Sequence, residues 1–475
     1  MKRFFLLLIV TSFFGALEGG ELEVVSRPPG GGEANNRSDN YVRVSRDGRF
    51  VVFYSTATNL VTGDTNGRGD LFVADRVAGT ITLVSVSTDE IQHVNSVGRF
   101  DLSGNGRFVA FECTDDSLVS GDSNGEIDIL LRDLQEGTTE RVSVRTDGMQ
   151  ANGSSAYPSI SYDGRYVAFQ SDATNLVNSD GNAATDVFVR DRLSGITTLE
   201  SVRSGTLEGN GRSYEPSLSD DGGVIAFSSD ATDLVTGDTN STTDVFVRNR
   251  LSGSIVKASV DSNGTPSAGG SLMPELSGNG RVVAFLAVAD DLVASDTNGF
   301  LDVVVRDLDA GVTELASIGT SGELNATFTL MLSSISDDGR FVGFQTSTAL
   351  DPEDMGSAQD VFIRDRRRGT TTRFSVASDG SDANGLSEGL VLSGDGRTGV
   401  FLSQASNLAP PDFNGFKDVF AGNTPYHAEV AARAALLKKI KALKKKAKLL
   451  KKKGKSAAAA RFLRKAKLLT RQLAA

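Results

Sequence analysis

The sequence predicts an all-β fold in which seven similar four-stranded sheets form a closed ring. Three observations support this: a long repeat, a phenylalanine fixed within it, and an abundance of glycine. A landmark of serine, two residues and glycine recurs at intervals of 58, 58, 58, 58, 59 and 57 residues, and a phenylalanine lies five residues after each glycine. The landmark glycines are Gly48, Gly106, Gly164, Gly222, Gly280, Gly339 and Gly396. A period of this length is typical of stacked or circular arrays, and 51 glycines suit a chain with many tight turns.

Each repeat divides into four short strands, as the third repeat illustrates. We predict strand A at 157–161, strand B at 165–171, strand C at 186–192 and strand D at 196–202. Asp163-Gly164 fits the hairpin turn between A and B, because glycine tolerates the positive φ of tight turns. Strands B and C carry apolar residues on both faces, which predicts that both faces are buried between neighbouring sheets.

The two ends of the chain predict that the ring closes. The seventh repeat has strands B and C but no strand D after them, whereas residues 21–27 resemble the strand D segment 82–88. We therefore predict that the N-terminal strand completes the last sheet, which leaves no long sheet edge exposed. The predicted fold is a seven-bladed β-propeller, with an open solenoid as the alternative.

The repeat also resembles a known family. The run Ser-Tyr-Asp-Gly-Arg-Tyr-Val-Ala-Phe-Gln-Ser at 161–171, followed by Asp-Val-Phe-Val-Arg-Asp-Arg at 186–192, is similar to TolB-type propeller repeats, which are WD-repeat-like. The resemblance covers residues 21–423 and implies a role in envelope translocation. The same repeat type is similar to the propellers of prolyl-oligopeptidase-like enzymes.

The start of the chain reads as a signal peptide. Lys2 and Arg3 precede an apolar run at 4–14, which is too short to span a bilayer. No cysteine follows that run, so we expect no lipid attachment. We predict a signal peptide at 1–20, a propeller at 21–423 and a Lys-rich tail at 424–475, in a secreted or periplasmic protein.

The loops between strands B and C share the pattern Asp-x-Asn-x-x-x-Asp in six repeats. Closely spaced carboxylate and amide oxygens suit Ca²⁺, which an exported acidic protein meets at millimolar concentration. The alternative is turn formation, since Asp and Asn bond their own backbone in loops. The sixth repeat departs from the pattern with Asp351, Asp354 and Asp360. The candidate metal ligands are Asp64, Asn66, Asp70, Asp122, Asn124, Asp128, Asp180, Asn182, Asp186, Asp238, Asn240, Asp244, Asp296, Asn298, Asp302, Asp412, Asn414 and Asp418.

The sequence offers little for catalysis. Its two histidines are His93 in a loop between repeats and His427 at the start of the tail, and no nucleophile elbow accompanies them. We therefore expect a non-catalytic binding or scaffold protein with no cofactor other than Ca²⁺. The alternative is a hydrolase or lyase at the central pocket. An asymmetric pocket with clustered His, Arg or Tyr would favour the enzyme, and a symmetric acidic rim would favour binding.

The C-terminal tail differs sharply from the rest of the chain. From residue 425 onward it has 17 Lys and Arg against one acid, Glu429, in a chain of net charge −11. Apolar residues recur every three or four positions, which predicts two helices separated by Gly454. Their apolar positions are Leu436, Ile440, Leu443, Ala447 and Leu450, then Phe462, Ala466, Leu469 and Leu473.

Several partners fit this arrangement. We expect the tail either to pack on the propeller or to bind an anionic surface such as lipid head groups or acidic envelope polymer. The loop face would bind a protein or an envelope polymer. We expect no nucleic acid partner, because the protein is exported, and a monomeric state.

Overall fold

The computed structural model of the chain describes residues 22–178, 180–203, 207–327, 331–356, 358–409, 412–452 and 456–474. The predicted signal peptide at 1–20 and the predicted helix break at Gly454 lie outside the described residues. Within the described residues, no helix combines the length and apolar character that crossing a membrane requires.

Seven antiparallel sheets of four strands each follow one another along the chain, which confirms the predicted fold class. The first strand of the chain is β1 (Glu23–Val24). Blade 1 consists of β2 (Ser38–Val44), β3 (Phe50–Ser55), β4 (Asp70–Asp75) and β5 (Thr80–Leu83). Blade 2 consists of β6 (Val97–Leu102), β7 (Phe108–Cys113), β8 (Asp128–Asp133) and β9 (Thr138–Arg141). Blade 3 consists of β10 (Ser155–Ile160), β11 (Tyr166–Ser171), β12 (Asp186–Asp191) and β13 (Ile196–Leu199).

The remaining blades repeat this order. Blade 4 consists of β14 (Ser213–Leu218), β15 (Val224–Ser229), β16 (Asp244–Asn249) and β17 (Ile255–Lys257). Blade 5 consists of β18 (Ser271–Leu276), β19 (Val282–Ala287), β20 (Asp302–Asp307) and β21 (Val312–Leu315). Blade 6 consists of β22 (Met331–Ile335), β23 (Phe341–Thr346), β24 (Asp360–Asp365) and β25 (Thr370–Arg373). Blade 7 consists of β26 (Ser387–Leu392), β27 (Thr398–Ser403), β28 (Asp418–Asn423) and β1.

The N-terminal strand closes the ring, as predicted. Glu23 pairs with Ala421 and Val24 with Phe420 in an antiparallel ladder, and the Val25 N–H donates to the Val419 carbonyl over 2.7 Å. The strand is shorter than the predicted segment 21–27. It occupies the outer position that strand D holds in every other blade, so the start of the chain completes the last blade and connects it covalently to the first.

The core lies between neighbouring blades. In five blades a phenylalanine of strand B stacks on one of strand C, as in Phe169 and Phe188, whose ring centroids are 6.0 Å apart. Apolar clusters each join residues of two adjacent blades; one brings Val51 and Phe53 of blade 1 against Val400 and Leu402 of blade 7. Both faces of strands B and C are therefore covered, as the sequence predicted.

The landmark serine and glycine form the turn between strands A and B. In blade 3 the Ser161 hydroxyl donates to Asp163 Oδ1 over 3.0 Å and accepts the Tyr166 N–H over 3.0 Å. Gly164 has φ +74°, and a Cβ there would meet the ring of Phe108 in the preceding blade. The repeat signature thus encodes a turn that also packs against a neighbouring blade.

The tail folds into the predicted helical hairpin. Helix α1 spans His427–Lys452 and helix α2 spans Ser456–Ala474. Ile440 and Ala447 of α1 are buried, as are Ala459 and Ala466 of α2. Three of these four positions were predicted; Ala459 extends the same face by one turn.

Candidate functional site

The two sets of longer loops meet on one face of the disc, which we call the loop face. In blade 2 the Asn124 Nδ2 of the B–C loop donates to the Ala151 carbonyl of the following D–A loop over 3.0 Å, and its Oδ1 accepts the Glu126 N–H over 3.1 Å. The N–H two residues beyond each patterned asparagine donates to its Oδ1 in all six repeats. Turn formation, the alternative considered for these asparagines, therefore accounts for their side-chain oxygens.

The last aspartate of each pattern opens strand C and is buried. In blade 3 Asp186 Oδ1 accepts the Ser201 hydroxyl over 2.5 Å, while Ser201 Oγ accepts the Val187 N–H over 3.1 Å. The same Asp–Ser pair recurs in every blade, and Asp360 supplies it in the sixth. The seven pairs are Asp70–Ser85, Asp128–Ser143, Asp186–Ser201, Asp244–Ser259, Asp302–Ser317, Asp360–Ser375 and Asp418–Ser26. Each pair ties the start of strand C to the chain of strand D and leaves one carboxylate oxygen facing the loop.

The first aspartate of the pattern lies beside the last, and in alternate blades a protein cation joins them. Lys257 Nζ lies 3.1 Å from Asp238 Oδ1 and 2.7 Å from Asp244 Oδ2 in blade 4. Arg141 bridges Asp122 and Asp128 in the same way, at 3.0 and 3.3 Å. In these blades a buried ammonium or guanidinium compensates the buried carboxylates.

Blade 6 has a third cation at this position. Arg373 Nη1 lies 3.0 Å from Asp354, and its Nη2 lies 2.6 Å from Asp382. Blade 6 thus has a cation at the same strand D position, but its second partner is Asp382 of the D–A loop instead of the aspartate that opens strand C.

The cations occupy one register position of strand D. Arg141 pairs with Leu130, Lys257 with Phe246 and Arg373 with Phe362. The same position holds an aliphatic residue in the other four blades, namely Leu83, Leu199, Leu315 and Val24. The acidic rim is therefore not uniform: apolar and positive residues alternate from blade 1 to blade 7, and two apolar positions are neighbours where the ring closes.

Blade 3 gathers three carboxylates without such a cation. Ligand oxygens of Asp180, Asp186 and Glu208 all lie within 4.8 Å of one another. Asp186 is fully buried, and its Oδ2 has no hydrogen-bond partner among the described residues. Burial, together with the neighbouring Asp180 and Glu208 charges, raises the pKa of Asp186 to about 7.

The other blades without a strand D cation differ from blade 3. In blade 1 His93 is buried, with its Nε2 2.9 Å from Asp70 Oδ1. In blade 5 the Asn298 Nδ2 donates to Asp302 Oδ2 over 2.7 Å. In blade 7 burial raises the pKa of Asp412, to about 6, and that of Asp418, while the positive charge of Arg27 opposes both shifts.

A central pocket of about 360 Å³ opens on the loop face, where strand A of each blade lines the propeller axis. Three neighbouring blades place Tyr41, Arg99 and Tyr157 at its wall. The Arg99 guanidinium carbon lies 4.4 Å from the centroid of the Tyr41 ring and 4.0 Å from that of Tyr157. The guanidinium thus contacts rings of both neighbouring blades, and its side-chain N–H groups have no hydrogen-bond acceptor among the described residues.

Bulged backbone also lines this pocket. Each strand A shifts register against strand B where it faces the axis, for instance between Ala156 and Ser159. Tyr157, Glu215 and Met273 adopt φ of 55°, 55° and 53°. Left-handed backbone at non-glycine residues is costly and concentrates at functional sites, so this ring marks the pocket as a candidate site.

Deeper in the channel the lining becomes ionic. Arg43 Nε lies 3.2 Å from Asp101 Oδ1, and Glu275 lies beside them. Burial in the channel raises the pKa of Glu275 to about 7, although Arg43 lowers it. At the far end of the channel Arg46 forms ion pairs with Asp220 and Asp337.

The tail is anchored on the face opposite the loops, which we call the turn face. The Tyr426 ring stacks on Phe341 at 4.9 Å. Glu429 at the start of α1 lies 3.2 Å from Arg340 and 3.0 Å from Arg368. The only acid of the tail therefore fastens the hairpin beside the A–B turn of blade 6.

The patterned aspartates lie on one face, as the sequence predicts, but two further sequence signals distinguish individual blades. The residue seven positions before each landmark glycine lines the pocket and reads Tyr41, Arg99, Tyr157, Glu215, Met273, Leu332 and Gly389. That position varies from blade to blade, so it breaks the symmetry of the repeat. The alternating cations are equally visible, since Arg141, Lys257 and Arg373 are spaced by 116 residues.

The comparisons with known proteins concern the fold. No family model matches the sequence, and no curated protein does. Among solved structures, a protein of Agrobacterium tumefaciens described as a TolB is 19% identical over 58% of this chain and 79% of its own, with a TM-score of 0.36. An oligogalacturonate lyase solved in complex with manganese is 12% identical over 86% of this chain and 98% of its own, with a TM-score of 0.50. A prolyl endopeptidase is 11% identical over 86% of this chain and 50% of its own, with a TM-score of 0.47. The chain is a seven-bladed β-propeller, and its repeats resemble those of TolB-type propellers.

Proposed function

We propose that this protein is an exported, non-catalytic binding module. It holds a polar ligand in the central pocket of the loop face and attaches through its Lys-rich tail to an anionic surface. The observation that carries the proposal is the stack of Tyr41, Arg99 and Tyr157, which leaves guanidinium N–H groups facing a pocket of about 360 Å³. We also propose that the acidic loops, which lie on the same face as the pocket, bind Ca²⁺.

The stack suggests the chemistry of the ligand. A guanidinium that stacks on rings still donates hydrogen bonds from the N–H groups in its plane, where it matches a carboxylate bidentately. The Tyr rings give an apolar wall beside it, and Met273 and Leu332 continue that wall around the pocket. A ligand with a carboxylate joined to a partly apolar body therefore fits this pocket.

The position of the tail supports a scaffold role. The hairpin leaves the turn face, so a surface bound by its lysines would lie on the side opposite the pocket. Cationic helices bind anionic surfaces through charge and lose that binding as salt rises. The loop face would then remain open to a ligand or to an envelope component.

The test is a thermal-shift screen of the full chain against monocarboxylates, amino acids, uronic acids and short peptides. We expect at least one carboxylate-bearing compound to raise the melting temperature of the wild type and to have no effect on Arg99→Gln. Arg212→Gln is the matched control, since Arg212 also lies over a tyrosine, Tyr214 at 5.8 Å, but outside the pocket. No stabilising compound, or equal stabilisation of Arg99→Gln, would remove the pocket from the proposal.

A hydrolase or lyase acting at the central pocket is the second candidate. It is favoured by the clustered Arg and Tyr side chains and by Glu275, whose raised pKa of about 7 suits proton transfer near neutrality. Ligands found in the screen should therefore be re-examined after incubation by mass spectrometry. Turnover by the wild type that Glu275→Gln abolishes would replace the binding proposal with the enzymatic one.

A further inference from the structure

We propose that blade 3 holds one divalent cation, bound by Asp180, Asp186 and Glu208, while protein side chains take its place in blades 2, 4 and 6. This deepens the calcium part of the proposed function, narrowing it from the whole loop face to one blade. It does not depend on the ligand of the central pocket.

The first support is the state of Asp186. Its side chain is fully buried; one oxygen accepts the Ser201 hydroxyl over 2.5 Å and the other has no hydrogen-bond partner among the described residues. Asp180 and Glu208 bring their own oxygens within 4.8 Å of it. A buried carboxylate that faces two more carboxylates is costly unless a cation joins them.

The second support is what neighbouring blades do with the same geometry. In blade 4 the equivalent aspartates, Asp238 and Asp244, share Lys257. In blade 3 the register position of Lys257 belongs to Leu199, which pairs with Phe188 just as Lys257 pairs with Phe246. A positively charged side chain at this strand D position thus neutralises the two aspartates in blade 4. Blade 3 has leucine there, so its aspartates lack that charge.

The third support is an extra acid held toward the loop, which makes blade 3 the one place among the described residues where three carboxylates come within 4.8 Å of one another. Blade 7 also has such an acid, Glu33, whose Oε1 accepts the Phe413 N–H over 2.6 Å, but there the charge of Arg27 lies nearby. The Gly181 N–H lies 3.1 and 2.9 Å from the two Glu208 oxygens, which orients that carboxylate beside Asp180. The residue equivalent to Glu208 is Pro266 in blade 4 and Leu324 in blade 5, neither of which has a carboxylate.

The ligand atoms indicate a hard cation. All three donors are carboxylate oxygens, and no histidine or cysteine lies in the cluster. Asp180 and Glu208 are only partly buried, so water can complete a coordination shell of six to eight oxygens. Ca²⁺ prefers such a shell and is the cation that an exported protein meets at millimolar concentration.

The experiment is calorimetric titration of the chelator-treated full chain with CaCl₂, alongside its melting temperature. We expect one Ca²⁺ per chain and a higher melting temperature with Ca²⁺. Leu199→Lys, which copies blade 4, should weaken Ca²⁺ binding at least tenfold while remaining folded without Ca²⁺. Leu315→Lys makes the same change in blade 5 and should bind Ca²⁺ like the wild type.

Three outcomes would overturn the inference: no heat and no stabilisation in the wild type, unchanged affinity in Leu199→Lys, or loss of binding in Leu315→Lys instead. Asp180→Asn, which keeps the size of the side chain, should weaken binding and provides a second variant if Leu199→Lys does not fold. The pocket compounds should stabilise Leu199→Lys as they do the wild type. A pocket screen without a stabilising compound would therefore not contradict the cation site. Likewise, a calcium titration without binding would not contradict the ligand of the central pocket.

Discussion

Leu199 of blade 3 and Lys257 of blade 4 occupy the same register position, each opposite a phenylalanine of strand C. Leu199 has no charge to offer the carboxylates of its blade. Lys257 Nζ lies 3.1 Å from Asp238 Oδ1 and 2.7 Å from Asp244 Oδ2. The two blades share the same strand register, and their chemistry differs at this position and at the D–A loop position that holds Glu208 in blade 3 and Pro266 in blade 4. In blades 2 and 4 the protein's own cations neutralise these aspartates, whereas we infer that blade 3 takes a cation from solution.

Replacement of Lys257 by leucine should destabilise the protein. The change leaves Asp238 and Asp244 buried without their counter-charge, and loss of one partner of a buried ion pair costs about 3–5 kcal/mol. Urea unfolding of the chelator-treated protein measures the change in the free energy of unfolding. Arg281→Leu is the control, because its ion pair with Asp309 is exposed and should contribute less than about 1 kcal/mol. Equal effects of the two variants would contradict the buried-pair interpretation.

Ser26→Ala tests the closure of the ring. The Ser26 hydroxyl donates to Asp418 Oδ1 over 2.6 Å and accepts the Val419 N–H over 3.0 Å, which links the start of the chain to its last blade. Removing it leaves two buried groups unpaired and should lower the free energy of unfolding by about 1–3 kcal/mol. Ser201→Ala removes the equivalent hydroxyl in blade 3 and should cost a similar amount. If Ser201→Ala lowers the free energy of unfolding and Ser26→Ala leaves it unchanged, the N-terminal strand is not in the sheet.

Glu275 should make stability fall as pH rises toward neutrality. Burial raises its pKa from 4.5 to about 7, so the folded protein keeps a proton that the unfolded chain loses at lower pH. The folded state is then favoured less as pH rises between these two values. Glutamine does not ionise, so Glu275→Gln should not show this loss. The free energy of unfolding of the variant, minus that of the wild type, should therefore rise by about 1–3 kcal/mol between pH 4.5 and pH 8.

Urea unfolding at a series of pH values measures this difference. Glu136→Gln is the control, because Glu136 is well exposed and the variant should follow the wild type at every pH. A Glu275→Gln curve parallel to the wild type would show that Glu275 ionises normally in the channel.

The tail lysines should determine binding to anionic vesicles. Lys444, Lys445, Lys448 and Lys451 are exposed on α1, and changing all four to glutamine removes charge while preserving helix propensity. We expect the wild type to sediment with vesicles containing phosphatidylglycerol at low salt, and the variant to bind at least fivefold more weakly. Vesicles of phosphatidylcholine alone are the control. Equal sedimentation of both proteins would reject the attachment of the tail to lipid.

Most of the fold could be predicted because local chemistry repeats with the period of the blades. The turn at Gly164 and the phenylalanine at 169 follow from hairpin geometry and two-sided burial, and both are where the sequence indicated. The ends of strands were less accurate. Strand D of blade 3 stops at Leu199 rather than at residue 202, because Ser201 leaves the ladder to bind Asp186.

The candidate sites were harder to predict because they depend on differences between repeats. The shared pattern contains Asp186 and its counterparts, whereas the difference between Leu199 and Lys257 lies outside it. Tyr41, Arg99 and Tyr157 lie 58 residues apart, yet their contact depends on adjacent blades turning the same position toward one axis. Only the closed ring brings these three side chains together.

A crystal structure of the full chain grown with MnCl₂ in place of CaCl₂, with anomalous differences recorded, tests the central claim most directly. We expect a single strong anomalous peak among the Asp180, Asp186 and Glu208 oxygens, with Lys257 and Arg141 still bound to their aspartates. A map with no peak in blade 3, or with peaks in blades 2 and 4 as well, would contradict the account.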